Sequence, residues 1–146
     1  MTPESLFAVC NYGVLPAWIL LAVAPTWTWT RRIVHGIWIP ILLGTVYLSV
    51  LLTGPATPPE GGFTSLAGVM ALFTSPRFAL VGWVHYLVFD LFIGAWAVRD
   101  ARRREIPHGF VVPCLFLTLM FGPIGLLAYL VLRLVLRREI SLDETA

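Results

Sequence analysis

The segment from Phe78 to Val98 is the feature that most limits how this chain can fold. It has 21 residues, of which only His85 and Asp90 carry ionisable side chains. An apolar segment of this length covers the hydrocarbon core of a bilayer as a helix. A carboxylate near the bilayer midplane costs roughly 2.5 to 3.5 kcal/mol, so it is tolerated only where it faces a bundle interior. His85 and Asp90 are therefore the first candidates for a functional role.

The composition of the whole chain agrees with this interpretation. Hydrophobic residues make up 58% of it and charged residues 12%, against about 45–50% and about 25% in soluble domains. We predict an all-α polytopic membrane helix bundle, with residues 1–146 forming a single integral membrane domain. Four segments are long enough to be transmembrane helices: Leu6–Pro25, Ile33–Leu52, Phe78–Val98 and Phe110–Leu132. Thr64–Thr74 is apolar but shorter, and it follows a turn-rich break at residues 54–62, which favours a short interfacial or re-entrant helix.

Four prolines lie inside these spans, at positions 16, 40, 113 and 123, and are expected to kink them.

Cys10 and Cys114 fall at opposite membrane faces in this topology, so we expect two buried thiols and no disulfide. The gly-x-x-gly spacing of Gly122 and Gly125 differs from the helix-dimer spacing, so a homo-oligomer remains possible.

The basic residues predict orientation and location. All ten are arginines, which fits a bacterial coding bias and suggests a bacterial inner membrane. Two loops, after the first and third spans, hold six of them, and the opposite side holds Arg77, Arg133, Arg137 and Arg138; this count favours both termini outside. The start of the chain lacks the basic region of a signal peptide, so we expect the first span to be retained. A net charge of +2 is too small to suggest nucleic acid, and the lipid bilayer is the expected partner.

Helical periodicity places the two ionisable groups of the third span on different faces. At 100° per residue Asp90 shares a stripe with Trp83 and Tyr86, while His85 shares one with Phe89 and Trp96. Both can point inward if this helix is central, where burial would tune them as an acid and a base. The structural alternative is a polar knot, with Asp90 bonded to Asn11, Tyr47 or a backbone group on another span.

A second polar cluster lies between Arg99 and His108. Its arginines are most simply headgroup anchors, while Asp100 and His108 either cap helices or form an outer part of the site. Three histidines are too few for a membrane di-iron enzyme, and no nucleotide-binding or Cys-x-x-Cys motif occurs. We therefore expect neither a metal nor another cofactor, and redox-neutral chemistry or simple binding remains.

Several motifs together resemble the abscisic-acid-deficient-four-like family. They run through most of the chain: Leu15-Pro16, Ala24-Pro25, Tyr47, Leu66–Gly68, Phe73–Ser75, Trp83–His85, Asp90–Phe92, Asp100, His108 and Gly122–Gly125. The resemblance implies a small multi-span membrane protein linked to the isomerisation of xanthophyll epoxides, in which an epoxide opens, a proton is lost and an allene forms.

The implied reaction needs an acid at the epoxide oxygen and a base at carbon. The resemblance thus implies a membrane isomerase acting on a carotenoid or related isoprenoid. The alternatives are a non-catalytic lipid- or pigment-binding membrane protein and, third, a small transporter. His85 and Asp90 are the catalytic candidates, and Asp100 and His108 the outer ones. The residues expected to bind the apolar ligand are Trp83, Tyr86, Phe89, Trp96 and Asn11.

Overall fold

A computed structural model describes residues 2–53 and 56–143. All regular structure in these ranges is helical, as the sequence predicts. In chain order the helices are α1 (Pro3–Gly13), α2 (Leu15–Val23), α3 (Thr28–Ile33), α4 (Trp38–Thr53), α5 (Leu66–Phe73), α6 (Pro76–Arg103), α7 (His108–Phe121) and α8 (Pro123–Arg137).

The chain divides into two compact units. The first contains residues 1–14 and 39–88, and the second contains residues 15–38 and 89–146. The helix α6 contributes its first half to one unit and its second half to the other. His85 consequently belongs to the first unit and Asp90 to the second.

Local sequence signals explain where several helices begin and end. Thr2 caps α1 by accepting a hydrogen bond from the Ser5 amide, and Pro3 occupies the first helical position. Ser65 caps α5 through the Gly68 amide. The long α6 ends where Glu105 adopts φ 53° and the Ile106 amide bonds to the Ala101 carbonyl, a Schellman-type termination before Pro107.

Two helical stretches are long and apolar enough to cross a bilayer, Pro3–Val23 and Pro76–Arg103. They correspond to the first and third predicted spans. The second predicted span is shorter than expected, because α4 begins only at Trp38 and has 16 residues. The predicted short helix at Thr64–Thr74 is confirmed as α5. The turn-rich break before it is non-helical over residues 56–62, while positions 54 and 55 lie outside the described residues.

The fourth predicted span, Phe110–Leu132, is wrong as a continuous helix. It is broken at Gly122, whose φ of 50° and ψ of −97° take the backbone out of the helical region. The helices on either side, α7 and α8, then fold back and pack on each other, with Gly125 against Thr118. The expectation for the prolines changes too: only Pro113 lies inside a helix, while positions 16, 40 and 123 fall in first turns, where a proline removes no helical hydrogen bond.

The reversal also corrects the predicted distribution of the arginines. Within the second unit the end of α8 lies beside the end of α6, because Arg104 pairs with Glu139 and Arg137 donates to the Glu105 carbonyl. The four-span topology required Arg133 and Arg137 to lie on the opposite side of the membrane from Arg104. In the structure they lie at the same end of the second unit. Both cysteines are buried and free, as predicted.

Candidate functional site

In the first unit, α4, α5 and α6 border a partly open apolar cavity that His85 lines. Its volume is about 440 Å³, within the range of roughly 300–1,000 Å³ that small-molecule sites occupy. Apart from Tyr47 and His85 its walls are apolar. The residues that line it are Tyr47, Leu51, Phe63, Leu72, Phe73, Phe78, Val81, Gly82 and His85. We refer to this space as the His85 cavity.

Two contacts position the walls of the His85 cavity. The Tyr47 ring lies with its centroid 6.3 Å from that of the His85 imidazole, at 48° to it. Gly82 allows α5 to approach α6 closely, because a Cβ there would lie 2.6 Å from the Phe73 ring. The sequence allows His85 to point inward if α6 is central; in the structure His85 is exposed and lines this cavity. It remains accessible to a ligand in the cavity.

Arg77 fixes α4 against the start of α6. Its Nε donates to the Val50 carbonyl at 3.0 Å, and its Nη2 donates to the Leu51 carbonyl. The last carbonyls of a helix have no intrahelical partner, so this guanidinium satisfies the end of α4. Arg77 is therefore a structural residue as well as one of the arginines that predict membrane orientation. By binding the end of α4, it fixes the position of Tyr47 relative to His85.

Asn11, Trp83 and Tyr86, three predicted ligand-binding residues, form one group in the first unit. The Trp83 Nε1 donates to Asn11 Oδ1 at 3.0 Å, and the Trp83 ring stacks on Tyr86 with centroids 5.4 Å apart. Trp83 also borders a second cavity, of about 370 Å³, together with Phe7. Asn11 thus bonds to Trp83, whereas the polar-knot hypothesis included Asn11 among the possible partners of Asp90.

Asp90 lies against the turn between α7 and α8 in the second unit. A Cβ on Gly122 would lie 2.9 Å from Asp90 Oδ1 and 3.1 Å from Oδ2. The half-buried carboxylate therefore packs directly on the Gly122 backbone. This contact joins two of the motifs found in the sequence, Asp90–Phe92 and Gly122–Gly125. It is the kind of arrangement expected if Asp90 holds the turn in place.

A buried ionic network surrounds Asp100, which is only 1% exposed. The Tyr129 hydroxyl donates to its Oδ2 at 2.6 Å, and Arg104 Nε donates to its Oδ1 at 3.0 Å. Arg133 Nε lies 3.6 Å from Oδ2, and Glu139 pairs with both Arg104 and Arg133. Asp100 is therefore the centre of a network that fastens α6 to α8.

Most of this network was not predicted from the sequence. Arg104 was expected to be a headgroup anchor, Arg133 entered only the count of arginines on the opposite side, and Tyr129 had no predicted role. The i,i+4 spacing of Asp100 with Arg104, and of Tyr129 with Arg133, places each pair on one helix face. That spacing was the available signal, but nothing in the sequence shows that the two faces meet.

The remaining predicted site residues lie elsewhere. Trp96 packs edge-on against Tyr129, with ring centroids 5.5 Å apart. His108 Nε2 lies 2.9 Å from the Ala22 carbonyl, joining the start of α7 to the end of α2. Phe89 is 55% exposed. Over residues 2–53 and 56–143, no group of three or more His, Cys, Asp or Glu side chains is placed to hold a metal ion.

Comparison with known proteins identifies the family. The model of the ABA DEFICIENT 4-like family matches residues 5–129. The chain belongs to this family. The matched region contains the His85 cavity, the Asp90 contact with Gly122 and the bond between Asp100 and Tyr129, but it ends before Arg133 and Glu139.

One curated member of the family is similar over most of the chain. It is the protein ABA DEFICIENT 4, chloroplastic, of Arabidopsis thaliana, which is 28% identical over 143 residues. The alignment covers 93% of this chain and 64% of the relative, so the chain spans somewhat less than two thirds of that protein's length. No solved structure matches the chain. Because the relative is chloroplastic, the comparison does not support the predicted bacterial inner membrane.

Proposed function

We propose that this chain is a membrane isomerase that opens an epoxide of a carotenoid or related isoprenoid, and that the His85 cavity binds the ring end of the substrate. Membership of the ABA DEFICIENT 4-like family supports a role in carotenoid metabolism. The observation that carries the proposal is the cavity itself, with apolar walls and two proton-carrying side chains, His85 and Tyr47. An apolar pocket with a few polar groups is what an isoprenoid ring with one oxygen requires.

The proposed chemistry follows from these two groups. A base removes a proton from the polyene carbon next to the ring while the epoxide C–O bond breaks and a proton is delivered to the oxygen. One proton leaves the substrate and one is gained, so the reaction is an isomerisation that forms an allene and a hydroxyl group. We assign proton transfer to His85, with the Tyr47 hydroxyl as the second group able to donate to oxygen.

Asp90 is the second catalytic candidate on sequence grounds. Its packing against Gly122 supports the structural role more directly. The two roles differ in Asp90→Asn, which keeps the shape of the side chain but loses the ionisable proton. A catalytic Asp90 predicts a folded variant with turnover reduced about 10²-fold. A structural Asp90 predicts near-normal turnover in this variant and loss of stability in Asp90→Ala.

The membrane location is proposed from the two apolar stretches and from the exposed apolar side chains. Ile41, Leu42 and Leu52 on α4 are more than half exposed, as is Val135 on α8, and such surfaces mark contact with lipid or protein. In the bundle that we propose, Pro3–Val23 and α6 cross the bilayer. The helices α4 and α7, with 16 and 14 residues, would cross only where the bilayer is locally thin.

The function can be tested by expressing the chain in carotenoid-producing bacteria and profiling the extracted pigments. We expect a new allenic product with the unaltered chain and an approximately 10²-fold loss of it in His85→Gln. The matched control is His108→Gln, which makes the same change at a histidine outside the cavity and should retain activity. Equal activity in His85→Gln and His108→Gln would contradict the assignment of His85.

The alternative is a non-catalytic pigment- or lipid-binding protein. It is favoured by the absence of an acidic side chain among the described residues that line the His85 cavity. Unchanged pigment profiles together with a pigment that co-purifies with the chain, and is lost in a cavity variant such as Gly82→Leu, would support this alternative over the isomerase.

A further inference from the structure

Three arginines line a cavity in the second unit. Arg99, Arg102 and Arg103 border a space of about 340 Å³ at the end of α6. Their spacing of three and four residues places them along one helix face. Three guanidinium groups around one cavity form a site for a polyvalent anion, because each presents several donors in a fixed planar fork.

The surroundings of His35 indicate the sign of the electrostatic potential at this end of the unit. Arg99 Nη1 lies 3.1 Å from His35 Nδ1. Since a guanidinium can only donate, Nδ1 accepts and the neutral ring carries its proton on Nε2. Burial, with the positive charges of Arg99, Arg102 and Arg31, lowers the pKa of His35 to about 4. The potential around the imidazole is therefore positive.

The nearby Asp100 carboxylate is shared among several donors. Asp100 Oδ1 lies 3.4 Å from Arg103 Nη2, but the same oxygen accepts from Arg104 and the other accepts from Tyr129. Among the described residues, His35 Nε2 is shielded from solvent and has no hydrogen-bond partner. A buried donor beside an arginine cluster is a further sign that this end favours a negatively charged partner.

We propose that the cavity lined by Arg99, Arg102 and Arg103 binds a phosphate group, and that this phosphate belongs to the headgroup of an anionic membrane lipid. Arginine forks match phosphate oxygens bidentately. Trp27 and Trp29 in the same unit, which are 52% and 51% exposed, favour a membrane lipid as the source of the phosphate. Arg32 lies over the Trp29 ring with 5.7 Å between them, and tryptophan with arginine at the headgroup level is typical of membrane interfaces.

The choice of lipid rests on the membrane location proposed above, whereas the phosphate chemistry does not. The test uses the full chain, purified in neutral detergent and stripped of lipid. Phosphatidylglycerol, phosphatidylcholine and inorganic phosphate are each titrated against it, and binding is followed by native mass spectrometry and by the shift in melting temperature. No pigment is present, so the result is independent of the isomerase proposal.

We expect phosphatidylglycerol to bind at least tenfold more tightly than phosphatidylcholine, and Arg102→Gln to weaken that binding about tenfold. The matched control is Arg138→Gln, the same loss of charge at an exposed residue beyond α8, which should bind normally. Equal loss in both variants would overturn the proposal, because it would show attraction to net charge alone. Inorganic phosphate binding as tightly as the lipid would overturn the lipid source. If Arg102→Gln fails to fold, Arg103→Gln with the same control decides the question.

Discussion

At the scale of single residues, two separate constraints require a glycine at position 122. Its positive φ is rarely adopted by residues with a Cβ, and a Cβ there would press on the Asp90 carboxylate. Gly122→Ala should therefore lower the free energy of unfolding by at least about 2 kcal/mol, from backbone strain together with the displaced carboxylate. The measurement is thermal unfolding in detergent. Gly109→Ala is the control, since a Cβ there meets nothing within 4 Å, and an equal loss in both variants would contradict the role given to Gly122.

His35 predicts a pH dependence of stability. Its pKa in the folded chain is about 4, below the ordinary value of 6.5, so the unfolded chain binds the proton more readily. The contribution of His35 is therefore complete above about pH 6.5 and is lost as the pH falls towards 4. Melting temperatures should drop more steeply between these values in the unaltered chain than in His35→Gln. Parallel pH profiles for the two proteins would contradict this prediction, because they would show that folding leaves the pKa of His35 unchanged.

At the scale of helices, the Asp100 network predicts how firmly α8 is held to α6. Tyr129→Phe removes a short hydrogen bond to a buried carboxylate and leaves the ring packing against Trp96 intact. We expect a loss of about 1.5–3 kcal/mol in unfolding free energy, the range for hydrogen bonds to charged groups. Tyr12→Phe, on the exposed face of α1, should be neutral. A neutral Tyr129→Phe would mean that the ion pairs alone hold Asp100.

The helices also show what the sequence could and could not predict. Composition and length predicted α6 and the apolar stretch of α1 and α2, because a run of some 20 apolar residues forms a helix when it is embedded in a membrane or buried in a core. Hydrophobicity alone could not locate the reversal within Phe110–Leu132, since both arms of the turn are equally apolar. The Gly122-Pro123 pair is a turn signal, whereas the prediction of one continuous span rested on the length of the apolar run. The separation of Trp83, His85 and Asp90 into different surroundings depends on which helices pack beside α6, and periodicity within one helix does not contain that information.

At the scale of the whole molecule, the arginines are distributed more unevenly than the four-span topology predicted. Every arginine except Arg77 belongs to the second unit. Contacts bring Arg104 to Glu139, Arg137 to Glu105 and Arg99 to His35, so arginines of α6 and α8 gather with His35 at one end of that unit. Arg77 instead binds the end of α4 in the first unit. The count of six against four, which favoured both termini outside, no longer holds.

This distribution predicts the orientation in a membrane. The positive-inside rule places the arginine-rich end, with the C-terminal residues that follow α8, on the cytoplasmic side. The proposed crossing of the bilayer by α6 would then leave its first turn on the other side, together with the end of α4 that Arg77 binds. The experiment introduces single cysteines at Glu60 and Leu142, both exposed, and treats intact bacteria with a membrane-impermeant maleimide. Glu60→Cys should be labelled in intact cells and Leu142→Cys only after lysis. The unaltered chain is the control, because Cys10 and Cys114 are buried and should stay unlabelled. Labelling of both positions from outside would restore the earlier topology and would contradict the arginine-rich end as the cytoplasmic face.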